Sequence, residues 1–277
     1  MQHEESSYTG HDGKNMFMQY WLPEDEPICV VLGIHGLGGH SGELTFIAEY
    51  FCEKGIAFYA PDLRGFGRNE GEMGHIDNFD EYTKDINSVV SYLQLKYDDT
   101  KLFLFGHSLG GLHVLRYAIA YPEAIAGIVV TCPAVSERLE TSPFIRKILS
   151  GLSRLNVKAH FDSGLNLDLV AKNPEVVKRH KEDPLRVEKV TPRFAKEGLE
   201  AKDEMFESAG ELEVPIMVAQ SGDDRILVPE ENRDFYNRIA SKDKTWNLYE
   251  GFYHEPFEDE GGEKMLDDIY GWLVGRL

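Results

Sequence analysis

The sequence predicts an α/β protein, a mainly parallel sheet with helices on both faces. Strand-like and helix-like stretches alternate along most of the 277 residues, as parallel neighbours joined by helical crossovers require. Several strand candidates, "ICVVLGIHG" among them, are apolar throughout rather than alternating. That is how strands covered on both faces read.

The elements follow in order. "MFMQYWLP" reads as a first strand and "ICVVLGIHG" as the next. "GELTFIAEYFCEKG" is a helix that stops at Gly55, a residue suited to a helix end. "IAFYAPD" is a strand, "FDEYTKDINSVVSYLQLKY" a long amphipathic helix and "KLFLFGHS" a strand. "LGGLHVLRYAIAYP" is a helix ended by Pro122, followed by the strand "AIAGIVVTCP". Near the C-terminus come the strand "VPIMVAQSGDD", the helix "PEENRDFYNRIA", the strand "KTWNLYEGFYH" and the helix "GEKMLDDIYGWLVGRL".

Residues 135–210 break this rhythm, with helical pieces and no convincing apolar strand. In "SPFIRKILSGLSRL", Pro143 suits a first helical turn, and Phe144, Ile148, Leu152 and Leu155 share one face. "TPRFAKEGLEAKDEMF" starts another helix, with Thr191 as its N-cap. The segment reads as a helical insertion over one end of the sheet. The expected organisation is a core of residues 1–134 and 211–277 with an insertion at 135–210.

Composition narrows the function. A net charge of −19 argues against nucleic-acid binding and against adsorption to anionic lipid through charge. No basic start with an apolar stretch behind it resembles a signal peptide, and no apolar run is long enough to span a bilayer. Cys29, Cys52 and Cys132 are an odd count without CxxC pairing, read as thiols in a reducing cytoplasm.

The chemistry concentrates at "FGHSLGG", residues 105–111. Here G-x-S-x-G has a strand before it and a helix after it, the context of a nucleophile on a sharp turn. Gly106 and Gly110 are expected because larger residues there would crowd the Cβ of Ser108. A serine nucleophile needs a base, and His254 is the one histidine downstream of the penultimate strand. The chain order serine, carboxylate, histidine places the acid after "PIMVAQ", where Asp223 and Asp224 both qualify. Leu109, which follows the nucleophile, is expected to supply an oxyanion amide, with the second coming from the "HGLGG" loop at 35–39. His107 is expected to pack against the sheet and His113 to face the core. His35, His40 and Glu43 lack an HExxH or Cys/His pattern, so no metal site is expected. "HGLGG" also lacks the third glycine of a dinucleotide loop and any GK[ST].

Five motifs carry a family resemblance. "HGLGGHSG", "DLRGFGRNEG", "FGHSLGG", "QSGDDRILV" and "YEGFYHE" match, in order and spacing, the monoacylglycerol lipase and lysophospholipase group of the α/β-hydrolases. The resemblance runs from about Asn15 to the C-terminus and is weakest across the insertion. It implies an α/β-hydrolase fold with an eight-stranded sheet, a helical cap at 135–210 and no cofactor. It implies Asp224 as the acid, directly before Arg225, and Leu37 as the second oxyanion donor. Asn69 departs from the pattern, standing where the family has serine.

The expected activity is serine-dependent hydrolysis of monoacylglycerol-like or lysophospholipid-like esters, with Ser108, Asp224 and His254 catalytic. Apolar cap faces are expected to wall an acyl pocket and to be able to touch a micelle or membrane surface. A short-chain carboxylesterase or a carbon–carbon bond hydrolase would use the same residues. A catalytically silent ligand receptor on this fold is the alternative from another class.

Overall fold

The structure is a computed structural model and describes residues 1–136 and 141–277; residues 137–140 of the expected insertion lie outside the described residues. Its strands are β1 (Gln2–Thr9), β2 (Asn15–Leu22), β3 (Cys29–Ile34), β4 (Ile56–Pro61), β5 (Leu102–His107), β6 (Gly127–Thr131), β7 (Phe161–Asp162), β8 (Lys189–Val190), β9 (Ile216–Ser221) and β10 (Lys244–Tyr249). Its helices are α1 (Thr45–Glu53), α2 (Asp80–Lys96), α3 (Leu109–Ala120), α4 (Pro143–Arg154), α5 (Pro174–Glu182), α6 (Pro192–Glu207), α7 (Pro229–Arg238) and α8 (Glu263–Val274).

Eight strands form one sheet in the order β1-β2-β4-β3-β5-β6-β9-β10, parallel from β4 to β10 and antiparallel at β1 and β2. The expected α/β-hydrolase architecture is therefore present. Strands β3, β4, β5, β6 and β9 are buried at every residue, which is why their sequences run apolar without alternation. Alternate residues along them feed two cores. Val30, Leu32 and Ile34 meet α2 and α3 on one face; Cys29 and Val31 meet α1 and α8 on the other.

Strand β1 was not expected. Its sequence QHEESSYT is exposed at every position except Tyr8, so no apolar periodicity marks it. Full antiparallel pairing with β2 holds this polar edge in the sheet. The 135–210 stretch holds α4, α5 and α6, together with a two-residue pairing of β7 with β8 that apolar patterning could not reveal. Thr191 caps α6 by accepting from the Phe194 amide at 3.3 Å, as expected.

The loop after β4 is structural. Arg64 donates to Asp85 through Nε and Nη2, both at 2.9 Å, and to Asp12 at 2.9 and 3.0 Å. Asn69 is buried; it accepts from the Phe17 amide at 2.7 Å and donates to the carbonyls of Asp62 and Leu63. The amide group thus joins the loop to β2, three bonds where a serine could make fewer.

Replacing Arg64 with methionine leaves the buried Asp85 carboxylate with His11 as its remaining partner and should cost about 3 kcal/mol. The check is a urea melt followed by circular dichroism, in which an unchanged midpoint would contradict the assignment.

Candidate active site

Ser108 lies between the end of β5 and the start of α3, with φ 55° and ψ −120°. A non-glycine residue in that region is strained, and the turn is held from outside. The Ser108 amide donates to the Thr131 carbonyl at 3.0 Å, and its carbonyl accepts from Ala134 at 3.0 Å.

The flanking glycines are also required by backbone contacts around this turn. A Cβ on Gly110 would lie 2.1 Å from the Ile34 carbonyl oxygen, and one on Gly106 would lie 2.5 Å from the Gly110 carbonyl oxygen. The atoms nearest to either added Cβ belong to the backbone of α3 or of the β3 end, so the close approach of the first turn of α3 by itself requires glycine. Leu109 opens α3, where the first amides lack intrahelical acceptors. Gly36 lies across the turn, with its Cβ position 3.4 Å from the Ser108 Cβ. The 35–39 loop is thereby set beside the serine. Among the described residues, no backbone carbonyl accepts from the amide of Leu37 or of Leu109.

Asp224 and His254 come from the loops after β9 and β10. Those loops are tied together by the Gly222 amide on the Tyr249 carbonyl at 2.8 Å and the Asp223 amide on the Phe252 carbonyl at 3.0 Å. His254 Nδ1 lies 2.7 Å from Asp224 Oδ2, while the other carboxylate oxygen accepts from the Ile226 and Leu227 amides at 2.8 and 2.9 Å. Asp223 is exposed. Of the two aspartates, Asp224 is therefore the one bonded to the histidine.

Burial alone would raise the Asp224 carboxyl, but His254 and the two amides outweigh it and hold it down at about 2. Burial works against a charged His254, yet Asp224 carries the ring above the usual histidine range. The pairing favours the imidazolium, the state a base reaches after taking a proton.

Ser108 and His254 line one cavity of about 30 Å³, together with His35, Gly36, Leu37, His107 and Phe257. His107 was expected only to pack against the sheet; its ring lies 4.8 Å from that of His254, and it also bonds Thr131 Oγ1 at 3.0 Å. Burial pushes His107 down to about 4, so it stays neutral beside the base. His113 faces the core as expected, against Phe79 and Tyr82.

The segment 135–210 contributes Leu165, Val170, His180 and Arg186 to this cavity. Helix α4 adds no residue to this cavity. Phe144, Ile148 and Leu155 are 74%, 44% and 77% exposed, so that face points away from the core. Its helical spacing revealed one apolar side but not the direction in which that side looks.

Among the cavity residues that escaped sequence reasoning as site members is an ion-pair cluster of His180, Arg186, Glu255 and, in this role, Glu43. Arg186 pairs with Glu43, while His180 lies 3.5 Å from Glu43 and 3.1 Å from Glu255. Burial opposes a charged His180, but Glu255 and Glu43 outweigh it and carry the ring up to about 10. These residues are far apart in the chain and share no spacing; only Glu255, next to His254, was marked by position. Atoms of His40, Glu43 and Asp183 gather within 4.8 Å, as do those of Cys132, Asp224 and His254. Each set is committed internally: His40 bonds Asp183, Glu43 holds Arg186 and His180, and Asp224 holds His254.

The family described as Serine aminopeptidase, S33 (Hydrolase_4) matches residues 25–261. The chain belongs to this hydrolase family. A monoacylglycerol lipase of Mycolicibacterium smegmatis is 30% identical over 274 residues, 99% of this chain and 98% of that one. The phospholipase YtpA of Bacillus subtilis is 29% identical over 87% of this chain and 93% of its own. The crystal structure of Paleococcus ferrophilus monoacylglycerol lipase aligns with TM-score 0.87 and 32% identity, over 95% of this chain and 100% of that one.

The two aspartates give a direct comparison within this hydrolase. Asp224→Asn should lower kcat on a p-nitrophenyl ester by about 10⁴, whereas Asp223→Asn should stay within about twofold of the parent, as surface changes commonly do. Reversed effects would reassign the acid.

Proposed function

We propose that this chain is a serine carboxylester hydrolase that cleaves monoacylglycerol and related single-chain lipid esters through an acyl-enzyme. The strained serine on the strand-to-helix turn, sharing a cavity with the His254–Asp224 pair, is the observation that carries the reading. The similarity to monoacylglycerol lipases along nearly the whole chain supports the substrate class.

In this mechanism Ser108 Oγ attacks the ester carbonyl and His254 Nε2 takes the hydroxyl proton. Asp224 holds Nδ1 and stabilises the imidazolium. The amides of Leu37 and Leu109 donate to the oxyanion, each worth about 10²–10³ in rate. Collapse expels the glycerol alkoxide, which receives the proton from His254. Water, deprotonated by His254, then attacks the acyl-serine and releases the fatty acid.

Residues 135–210 act as a cap over a core of 1–134 and 211–277. A cavity of about 30 Å³ has room for about two or three waters, so an acyl chain enters only when the cavity widens. The aminopeptidase activity named in the family description asks for a free carboxylate to hold a substrate ammonium group. Glu43 and Glu255 are both already engaged by cations, which favours the ester. The relation to phospholipase YtpA keeps lysophospholipids as a second substrate.

The exposed face of α4 supports transient contact with a micelle or membrane surface. Residues 135–210 carry near-equal numbers of acidic and basic side chains, so the net −19 resides in the rest of the chain. No helix among the described residues is long and apolar enough to cross a membrane. Cys29, Cys52 and Cys132 are buried and unpaired, which suits a reducing cytoplasm.

Fatty-acid release from monoacylglycerols of graded acyl length should rise with length and vanish in Ser108→Ala. Cleavage confined to short esters would leave a carboxylesterase, and full turnover by Ser108→Ala would sink the proposal. The double variant Phe144→Asp/Leu155→Asp should slow hydrolysis of vesicle-borne monoacylglycerol and leave a water-soluble ester unaffected. Equal loss on both substrates would remove the surface-contact reading.

A further inference from the structure

The loop that carries Leu37 reads Gly36-Leu37-Gly38-Gly39. Three glycines in four residues make a backbone free to adopt many conformations, yet an oxyanion donor acts only if its N–H is aimed in advance. The peptide planes must therefore be held by hydrogen-bond partners.

The stretch between α5 and β8 lies directly on it. The Val187 amide donates to the Gly38 carbonyl at 2.8 Å. Arg186 Nη2 donates to the Leu37 carbonyl at 3.3 Å, and Nη1 pairs with the carboxylate of Glu43. Gly38 has φ +74°, and a Cβ there would lie 2.6 Å from the Val187 carbonyl oxygen. A Cβ on Gly39 would lie 2.1 Å from Glu43 Oε2. At Gly38 the backbone contact excludes any side chain, and at Gly39 a side chain would have to displace the Glu43 carboxylate. The Gly36 carbonyl is held too, accepting from Gly39 N at 3.2 Å and from His35 Nδ1 at 2.9 Å.

All three carbonyls from Gly36 to Gly38 thus have donors. Two of those donors come from residues about 150 positions away in the chain. The Arg186 side chain is only 7% exposed, and its partner Glu43 is itself braced by His180. The Leu37 N–H shares its peptide plane with the Gly36 carbonyl, which Gly39 and His35 hold, while Arg186 holds the next plane through the Leu37 carbonyl, so the backbone hinge at Leu37 is bounded on both sides.

We infer that Arg186 is a positioning residue: with the adjoining Val187 amide it clamps the Leu37–Gly38 carbonyls and so aims the Leu37 N–H at the oxyanion. The inference rests on the proposed Ser108 mechanism and its oxyanion hole. Arg186 touches no reacting atom and acts through Leu37. Because the oxyanion exists only past the ground state, loss of aim falls on kcat and leaves KM nearly unchanged.

The test compares Arg186→Met with the double variant Glu43→Gln/Arg186→Met, on a soluble ester, with thermal midpoints recorded. The double variant removes both charges, so no carboxylate is left buried without its cation. Both variants should lose about 10- to 100-fold in kcat, part of the value of one oxyanion donor, with KM within about threefold. The inhibition constant of phenylboronic acid, whose serine adduct is tetrahedral, should rise by the same factor as kcat falls. Parental kcat in the folded double variant would overturn the inference and leave Arg186 as an ion-pair partner only. A kcat loss without any change in boronate affinity would also overturn it. Ser108→Ala separates the two levels: if it turns over, the underlying mechanism fails; if it is dead while the Arg186 variants are unaffected, only the clamp fails.

Discussion

The first turn of α3 approaches the end of β3 so closely that a side chain on Gly110 would begin 2.1 Å from the Ile34 carbonyl oxygen. Much of the site geometry depends on this contact. It lets the helix start immediately after β5, which forces Ser108 to positive φ at the carboxyl end of the sheet. It also sets the free amides of α3 beside the 35–39 loop, which leaves β3 at the same level. Ligand sites of open α/β sheets sit at such strand ends because the loops there are released from pairing and can converge. In this chain the loops after β3, β5 and β10 line that space, and the loop after β9 reaches it through the Asp224 bond to His254.

Electrostatics then assigns roles to the converging groups. Asp224 is buried with two backbone amides and the His254 ring around its carboxylate, so it stays ionised despite its surroundings. That fixed negative charge favours a cationic His254, while neutral His107 lies against the same ring. A second set of charges, the buried His180 with the half-buried Glu43, Arg186 and Glu255, joins the 135–210 segment to the loops that carry Leu37 and His254. Buried ion pairs contribute little net stability, since desolvation offsets much of their attraction. Their directionality makes them suited to fixing the relative placement of two segments.

The legibility of the fold followed burial. Strands buried on both faces announced themselves as apolar runs, and the helices between them showed their stripes and caps. β1 carried no such mark, because an exposed edge strand has no apolar face to display. The nucleophile turn was legible because its backbone demands glycine at fixed offsets, although the atoms that impose the demand are the carbonyls of Ile34 and Gly110. On α4 the periodicity marked one apolar face, but amphipathicity does not say what lies on either side, and Phe144, Ile148 and Leu155 of that face are exposed.

By itself the sequence determined the α/β alternation, the serine turn, the chain order of serine, carboxylate and histidine, and the family. Each of these is local in the chain or set by order along it. Tertiary structure decided which of two adjacent aspartates meets His254, which face of α4 is exposed, and that Arg186 and His180 reach the cavity. Those depend on contacts between residues tens to more than a hundred positions apart. No spacing records such contacts, because their partners are chosen by packing rather than by position in the chain.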